Sequence, residues 1–87
     1  NPDVTVSIKE YRPFYIHGEV EEPGGIPYQP GLTLEKAIAL GGGFTERASK
    51  KKITVIRAGD TDQIARPITL NDLVHAGDVI TVSQSFF

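Results

Sequence analysis

The sequence predicts an α+β fold in which one short helix packs on a mixed sheet of four or five strands. Short runs of alternating apolar and polar residues are typical of strands, and they recur on both sides of a single stretch with helical spacing. Glycine and proline separate these runs. The elements follow in the order hairpin, helix, strand, weak strand and strand, which is the arrangement of a β-grasp, or ubiquitin-like, fold. The 87 residues are enough for one domain with one modest core.

Two alternating runs begin the chain. Residues 4–9 read VTVSIK, with the apolar side chains on one side, and predict a strand. Residues 14–20 alternate in the same way and predict a second strand. The expected core face of this second strand consists of Phe14, Ile16, Gly18 and Val20.

A turn at residues 21–25 is expected to close the hairpin. Pro23 suits the second position and Gly24 the third position of a type II turn, where the third residue needs a positive φ. Residues 26–28 then predict a short returning strand, and residues 29–31 predict a second turn that leads into the helix.

The predicted helix begins after Thr33 and ends in three consecutive glycines. The Thr33 hydroxyl is expected to cap the helix N-terminus, and Glu35 places negative charge where the helix dipole favours it. One of the three glycines is expected to take the left-handed conformation at the C′ position, and if this residue is Gly43, Phe44 follows at C″. A helix this short is not stable alone in water, so its apolar stripe must pack on the sheet. That stripe consists of Leu34, Ala37, Ile38 and Gly41.

The second half of the chain is expected to supply the remaining strands. Residues 46–52 are polar and predict a loop, whereas residues 53–57 are rich in β-branched side chains and predict a buried strand. Residues 63–70 predict a weaker strand, because a proline interrupts them. The last predicted elements are one helical turn at residues 71–75, a turn at Gly77 and Asp78, and a final strand at residues 79–83.

The composition excludes several classes of protein. There is no cysteine, so disulfides, thiolate metal sites and cysteine catalysis are excluded. The net charge of -2 gives no global attraction to nucleic acid or anionic lipid. No apolar run approaches the ~20 residues of a transmembrane helix, so no membrane span is expected here. The chain starts at Asn1 and contains no methionine, so we expect it to be part of a longer protein.

The sequence indicates no catalytic residues. The serines lack a G-x-S-x-G setting, and only His17 and His75 could act as a base. His17 is expected to be a structural strand residue and His75 a residue near a helix C-terminus. Residues 60–62 resemble the start of a calcium loop but lack its later glycine and glutamate, and residues 41–43 follow a helix, whereas phosphate loops precede one. We therefore expect no metal and no cofactor.

The chain contains one basic cluster, formed by Arg47, Lys50, Lys51 and Lys52. Two interpretations stay open for it. The cluster is either a solvated loop between helix and strand, or a patch that faces an acidic polysaccharide, a phosphate or an acidic partner surface. No aromatic residues alternate with these charges, so no nucleic acid partner is expected.

Three segments together resemble a known family. Residues 14–24 read FYIHGEVEEPG, residues 33–48 read TLEKAIALGGGFTERA, and residues 76–82 read AGDVITV. This combination resembles the soluble-ligand-binding β-grasp (SLBB) domain of bacterial polysaccharide export proteins.

The resemblance implies a division of the chain and a set of structural residues. Residues 1–10 are expected to be the end strand of a preceding export domain, and residues 11–87 to form the SLBB domain. The positions expected to have structural roles are Gly18, Pro23, Gly24, Gly41, Gly42, Gly43, Gly77 and Asp78.

The resemblance also implies a function. The chain is expected to be a non-catalytic module of a protein that exports capsular polysaccharide or exopolysaccharide through the periplasm and outer membrane of a Gram-negative bacterium. Self-assembly of the full-length protein as a homo-oligomer, contact with polysaccharide, or both are expected. We place the ligand-binding residues beside the helix C-terminus, at Glu46, Arg47, Lys50 and Lys51. The alternative is a ubiquitin-like protein-interaction module in an unrelated assembly.

Overall fold

The computed structural model describes residues 11–85. The strand predicted at residues 4–9, and with it the expected end strand of a preceding domain, lie outside the described residues. The described elements, in chain order, are β1 Phe14–Gly18, β2 Gly24–Ile26, α1 Leu34–Leu40, β3 Ala48–Ile56, β4 Arg66–Pro67 and β5 Val79–Gln84.

The strands form one mixed five-stranded sheet in the order β2-β1-β5-β3-β4. The first and last strands, β1 and β5, run parallel to each other, with Ile16 opposite Ile80. The other three pairings are antiparallel. One helix with a mixed sheet of five strands confirms the predicted α+β, β-grasp fold.

The helix packs on the sheet through the predicted apolar stripe. Leu34 and Ala37 are fully buried, and Ile38 is nearly so. The Thr33 hydroxyl accepts a hydrogen bond of 3.4 Å from the Lys36 backbone N–H, which confirms the expected N-cap. Burying a side chain such as Leu or Ile contributes roughly 1.5–3 kcal/mol, and this burial stabilises a helix of seven residues that would not form alone. The same core also contains Phe14, Ile16, Ile26, Ile53, Val55, Ile68, Ile80 and Val82.

The helix ends one residue earlier than the glycine run predicted. Leu40 is its last residue, and both Gly42 and Gly43 have positive φ angles, +88° and +90°. The Gly42 N–H donates to the Ala39 carbonyl (3.1 Å) and the Gly43 N–H to the Ile38 carbonyl (2.9 Å). This is a Schellman motif, which confirms that one of the glycines occupies C′, and the residue at C′ is Gly42 and not Gly43.

The hairpin is also shifted relative to the prediction. Residues 21 and 22 are bends, and the returning strand begins at Gly24, two residues before the expected position. Gly24 has a φ of +140° and pairs with Ile16 of β1. Gly24 and Gly25, which were predicted to lie in the turn, therefore pair with residues of β1.

Residues 46–52 were predicted to be a loop, and this prediction was wrong for most of them. β3 starts at Ala48 and includes the lysine run. Ala48 pairs with Gln84 and Ile53 with Val82, so β3 advances five residues while β5 advances two. The three extra residues make a large β-bulge. Pairing with β5 stabilises this part of the strand although its sequence lacks apolar alternation.

Residues 71–75 form a turn followed by an isolated bridge, so the predicted helical turn was wrong. The Asp72 carboxylate accepts a 2.9 Å hydrogen bond from the Thr69 N–H, and the Asp72 N–H donates to the Thr69 carbonyl. Leu73 then pairs with Thr33, the cap residue of α1. This pairing with the helix entry holds the segment extended.

The hydrogen bond between Thr69 and Asp72 predicts a pH-dependent contribution to stability. The Thr69 backbone N–H, followed by the Thr69 hydroxyl, lowers the pKa of the Asp72 carboxyl from its ordinary value of 3.8. Since the folded pKa is depressed, this contribution is present above pH 3.8 and is lost as the pH falls through the folded pKa. The gap in unfolding free energy between wild type and Asp72→Asn should therefore narrow below pH 3.8, as measured by urea denaturation across a pH series.

The matched control is Asp62→Asn. Asp62 is exposed, and its carboxylate accepts no hydrogen bond from residues 11–85. Asp62→Asn therefore removes a carboxylate of the same kind without removing such a hydrogen bond. A gap for Asp72→Asn that runs parallel to that of the control would contradict the prediction.

Candidate functional site

The expected ligand-binding residues lie on an exposed segment that we call the basic segment, residues 46–52. Glu46 and Arg47 precede β3, and Lys50 and Lys51 lie on its bulged part. All four side chains are exposed. The structure therefore brings them together along one end of β3, where they are accessible to a large ligand.

One lysine of the basic segment already has an aromatic neighbour. The Lys50 ammonium lies 5.7 Å from the centre of the Phe44 ring, within the range of a cation–π contact. Phe44 itself is half-buried against the core. This contact places the Lys50 ammonium group beside Phe44, just after the helix C-terminus.

A second region, which we call the groove, lies near the other end of β3. It is a cleft of ≈ 490 Å³ between the start of β1, the start of β5 and the end of β3. The lysines of the basic segment lie between Ala48 and Ile53, whose partners on β5 are five and three residues from the partner of Ile56. They therefore lie roughly 10–17 Å from the groove along the sheet. The principal lining residues are Arg12, Tyr15, Ile56, Arg57, Gln63 and Val79.

The groove opens on the sheet face opposite α1. Phe14, Ile16 and Ile80 point to the helix side and are fully buried, so their strand neighbours Tyr15 and Val79 point the other way. Tyr15 is 43% exposed. The cleft is therefore a feature of the open sheet face, separate from the hydrophobic core.

A buried carboxylate organises one wall of the groove. Asp78 is 1% exposed, and its Oδ2 accepts hydrogen bonds from the Arg57 guanidinium (2.5 Å) and from the His75 backbone N–H (2.8 Å). The same Arg57 nitrogen also donates to the Leu73 carbonyl (3.2 Å) and lies 3.0 Å from the His75 Nδ1. Because a buried charge must be paired, this network fixes the Arg57 side chain.

The second arginine of the groove lies over a glycine turn. A Cβ atom on Gly77 would come within 2.8 Å of the Arg12 Nη2, and Gly77 has a φ of +81°. The Gly77 N–H donates to the Pro13 carbonyl (3.1 Å), which ties this turn to the segment before β1. The glycine thus leaves the space that the Arg12 guanidinium occupies.

Sequence reasoning missed both arginines. It singled out Gly77 and Asp78 as structural positions but assigned no partner to the carboxylate. Arg57 could have been noticed as a possible partner for this carboxylate, because it is a cation at the end of a predicted buried strand, just before a glycine turn. Arg12 carried no signal in the sequence, because the contacts that place it, over Gly77 and next to the Pro13–Gly77 hydrogen bond, join segments that are far apart in the chain.

The two histidines lie at exposed positions on the domain surface. His17 and His75 are both exposed, and neither hydrogen-bonds to a hydroxyl group within residues 11–85. In the same part of the chain no group of three His, Asp or Glu side chains is placed to hold a metal ion. The groove can thus offer guanidinium donors, an aromatic ring and an apolar floor, which are the means of binding a ligand.

The fold and its surface define the class, a small β-grasp domain with a groove lined by two arginines on its open sheet face. Residues 13–74 match the family model described as the SLBB domain. The match covers more than half of the chain, and the chain therefore belongs to the SLBB domain family. No helix within residues 11–85 is long and apolar enough to cross a membrane.

Two curated proteins are similar in sequence to this chain. The exopolysaccharide production protein ExoF of Rhizobium meliloti (strain 1021) is 52% identical over 43 residues, which are 49% of this chain and 10% of that protein. The polysialic acid transport protein KpsD of Escherichia coli is 32% identical over 71 residues, which are 82% of this chain and 12% of that protein. The chain thus spans about a tenth of the length of each relative.

Proposed function

We propose that this chain is a non-catalytic module of a polysaccharide export protein, located in the periplasm or at the outer membrane of a Gram-negative bacterium. The observation that carries the proposal is the match of residues 13–74 to the SLBB family. Two relatives named for exopolysaccharide production and for polysialic acid transport support the same assignment. The module contributes contact with the exported polysaccharide, contact between copies of the full-length protein, or both.

The sheet edges favour assembly through side-chain surfaces. The edge strand β2 has three residues and the edge strand β4 has two, one of which is proline. Short edges with proline are poor templates for pairing with another strand. Copies of the protein would therefore meet through faces and loops of the domain.

Self-assembly is tested by the mass of the full-length parent protein. Multi-angle light scattering of the purified parent in detergent is expected to give a multiple of the monomer mass. A strictly monomeric parent over a wide concentration range would remove the self-assembly part of the proposal. Contact with polysaccharide is tested separately, by titration.

Lys51→Gln tests the basic segment as a polysaccharide contact. Lys51 is exposed, so its charge is available to an acidic polymer, and losing one such surface charge should weaken binding roughly threefold at low salt. The measurement is calorimetric titration of the 87-residue chain with a purified acidic polysaccharide.

Lys36→Gln is the matched control for this test. Lys36 is also exposed but lies on α1, outside the basic segment. Its loss should leave binding nearly unchanged. If both variants weaken binding equally, Lys51 acts only through the net charge of the domain, and this result would contradict a contact at the basic segment.

A further inference from the structure

The floor of the groove is a preordered platform. The Tyr15 ring lies across Gly25 of β2, since a Cβ atom built on that glycine would come within 3.0 Å of the ring. Ile56 and Val79, which are half-buried, continue the apolar surface beside it. A sugar ring has a C–H face that packs on such a surface, and an aromatic ring held in place loses little entropy when it is covered.

The Arg57 guanidinium has N–H donors that are not used within the described residues. All the hydrogen bonds that Arg57 makes within residues 11–85 use its Nη1 atom, whereas a guanidinium carries five N–H donors. The Arg57 Nη2 and Nε atoms thus have no partner in the described part of the chain. Because Arg57 is already fixed by Asp78, these donors are presented without further ordering.

Arg12 is also held close to the groove. The preceding Tyr11 ring packs edge-on against Tyr28, with 5.4 Å between the ring centres, and the following Pro13 carbonyl accepts from Gly77. Within residues 11–85, Arg12 forms no ion pair. Its charge is therefore not neutralised by the described part of the domain.

The one carboxylate on the groove rim formed by residues 11–85, that of Asp60, belongs to its own turn. One of its oxygens accepts from the Asp62 N–H (3.0 Å), and the other accepts from the Ile64 N–H (3.3 Å) and lies 3.9 Å from the Arg66 Nε. Arg57 is likewise balanced by Asp78. The charge that remains for a ligand is that of Arg12, so the groove favours an anion.

We propose that the groove binds one carboxylate-bearing sugar residue of an acidic polysaccharide. The carboxylate accepts hydrogen bonds from the guanidinium groups of Arg12 and Arg57, and the sugar ring packs against Tyr15. A volume of ≈ 490 Å³ lies within the range of about 300–1,000 Å³ usual for small-ligand sites. This inference rests on the proposed function, because the choice of a sugar acid over other carboxylates follows from it.

The test follows backbone amide shifts of the 87-residue chain during titration with an oligomer of galacturonic acid. The control ligand is the methyl ester of the same oligomer, which keeps the sugar rings but removes the charges. We expect the acid oligomer to shift the amides of Tyr15, Arg57, Gly77 and Val79, and the ester to have little effect. The shifts should weaken with added salt, because the contact is partly exposed.

Arg12→Gln is the decisive variant. Arg12 is exposed and lies outside the core, so its loss should leave the fold intact and weaken binding of the acid oligomer about tenfold. Lys36→Gln removes the same charge from α1 and should leave the affinity unchanged. Arg57 is a poor choice for this test, because replacing it would leave the buried Asp78 without its partner.

Five results would overturn the inference, and they separate it from the proposed function. Shifts confined to residues 46–52 would move the polysaccharide contact to the basic segment and leave the proposed function standing. Equal binding of acid and ester, or equal effects of Arg12→Gln and Lys36→Gln, would remove the carboxylate contact. If no polysaccharide shifts any amide and the parent protein is oligomeric, self-assembly would be the only part of the proposed function that is supported. If the amide shifts of the groove residues depend on protein concentration and not on the oligomer, the groove would be a contact between two copies of the chain.

Discussion

Replacing Gly18 by alanine is expected to lower the free energy of unfolding by about 3 kcal/mol or more. Gly18 has a φ of +88°, and a Cβ atom at this position would overlap the backbone carbonyl oxygen of Val82. Val82 is its partner in the parallel ladder between β1 and β5 at the centre of the sheet. The clash is with backbone, which cannot rotate away as a side chain can, so the ladder itself must move. Urea denaturation followed by circular dichroism measures the loss.

Gly43→Ala is the control that separates space from backbone conformation. Gly43 has nearly the same φ, +90°, but a Cβ atom added there would have no atom within 4 Å, its own chain neighbours aside. Its replacement should cost only the strain of the left-handed conformation, about 1–2 kcal/mol. The difference between the two variants then measures the contact with Val82. Equal losses for Gly18→Ala and Gly43→Ala would show that the close approach of β1 and β5 does not affect stability.

Replacing Asp78 by alanine is expected to destabilise the domain by about 3 kcal/mol, the lower end of the range for breaking a buried ion pair. Asp78 is 1% exposed and Arg57 is 35% exposed, so water relieves part of the cost of leaving the arginine unpaired. The His75 N–H also loses its acceptor. Because the carboxylate is buried, the loss should depend little on salt.

A double-mutant cycle isolates the ion pair from the other contacts of Asp78. Asp78→Asn and Arg57→Gln, alone and together, should show a coupling free energy of about 1–3 kcal/mol, measured by urea denaturation. Asp62→Asn is the surface control, and its effect should stay within about 0.5 kcal/mol. Additive effects of the two substitutions would mean that the guanidinium and the carboxylate do not stabilise each other.

Local sequence patterns were sufficient for the helix and for part of the core, but they did not indicate that Leu32, Ile68 and Val74 are buried. Thr33 caps α1, Leu34 and Ile38 are buried, and glycines end the helix, because capping and 3.6-residue spacing are properties of a short segment. Alternation in the same way predicted the strands that became β1 and β5. Their order along the chain indicated the fold class.

The candidate site could not be predicted in the same way. The basic segment was visible as a run of charges, but its placement on a bulged strand depends on pairing with β5, some 30 residues later in the chain. The error at residues 71–75 has the same origin, since Leu73 pairs with Thr33. In each case a distant partner outweighed the local preference of the segment.

By itself the sequence determined that the chain folds as one helix on a mixed sheet, and it indicated the SLBB family. Only the tertiary structure decided that Arg12, Arg57 and Tyr15 share one groove, and that Asp78 is the buried partner of one of these arginines. The physical reason is that the groove forms where β1, β3 and β5 lie side by side. A pattern within one segment cannot show which hydrogen bonds and charges come together when three strands pair.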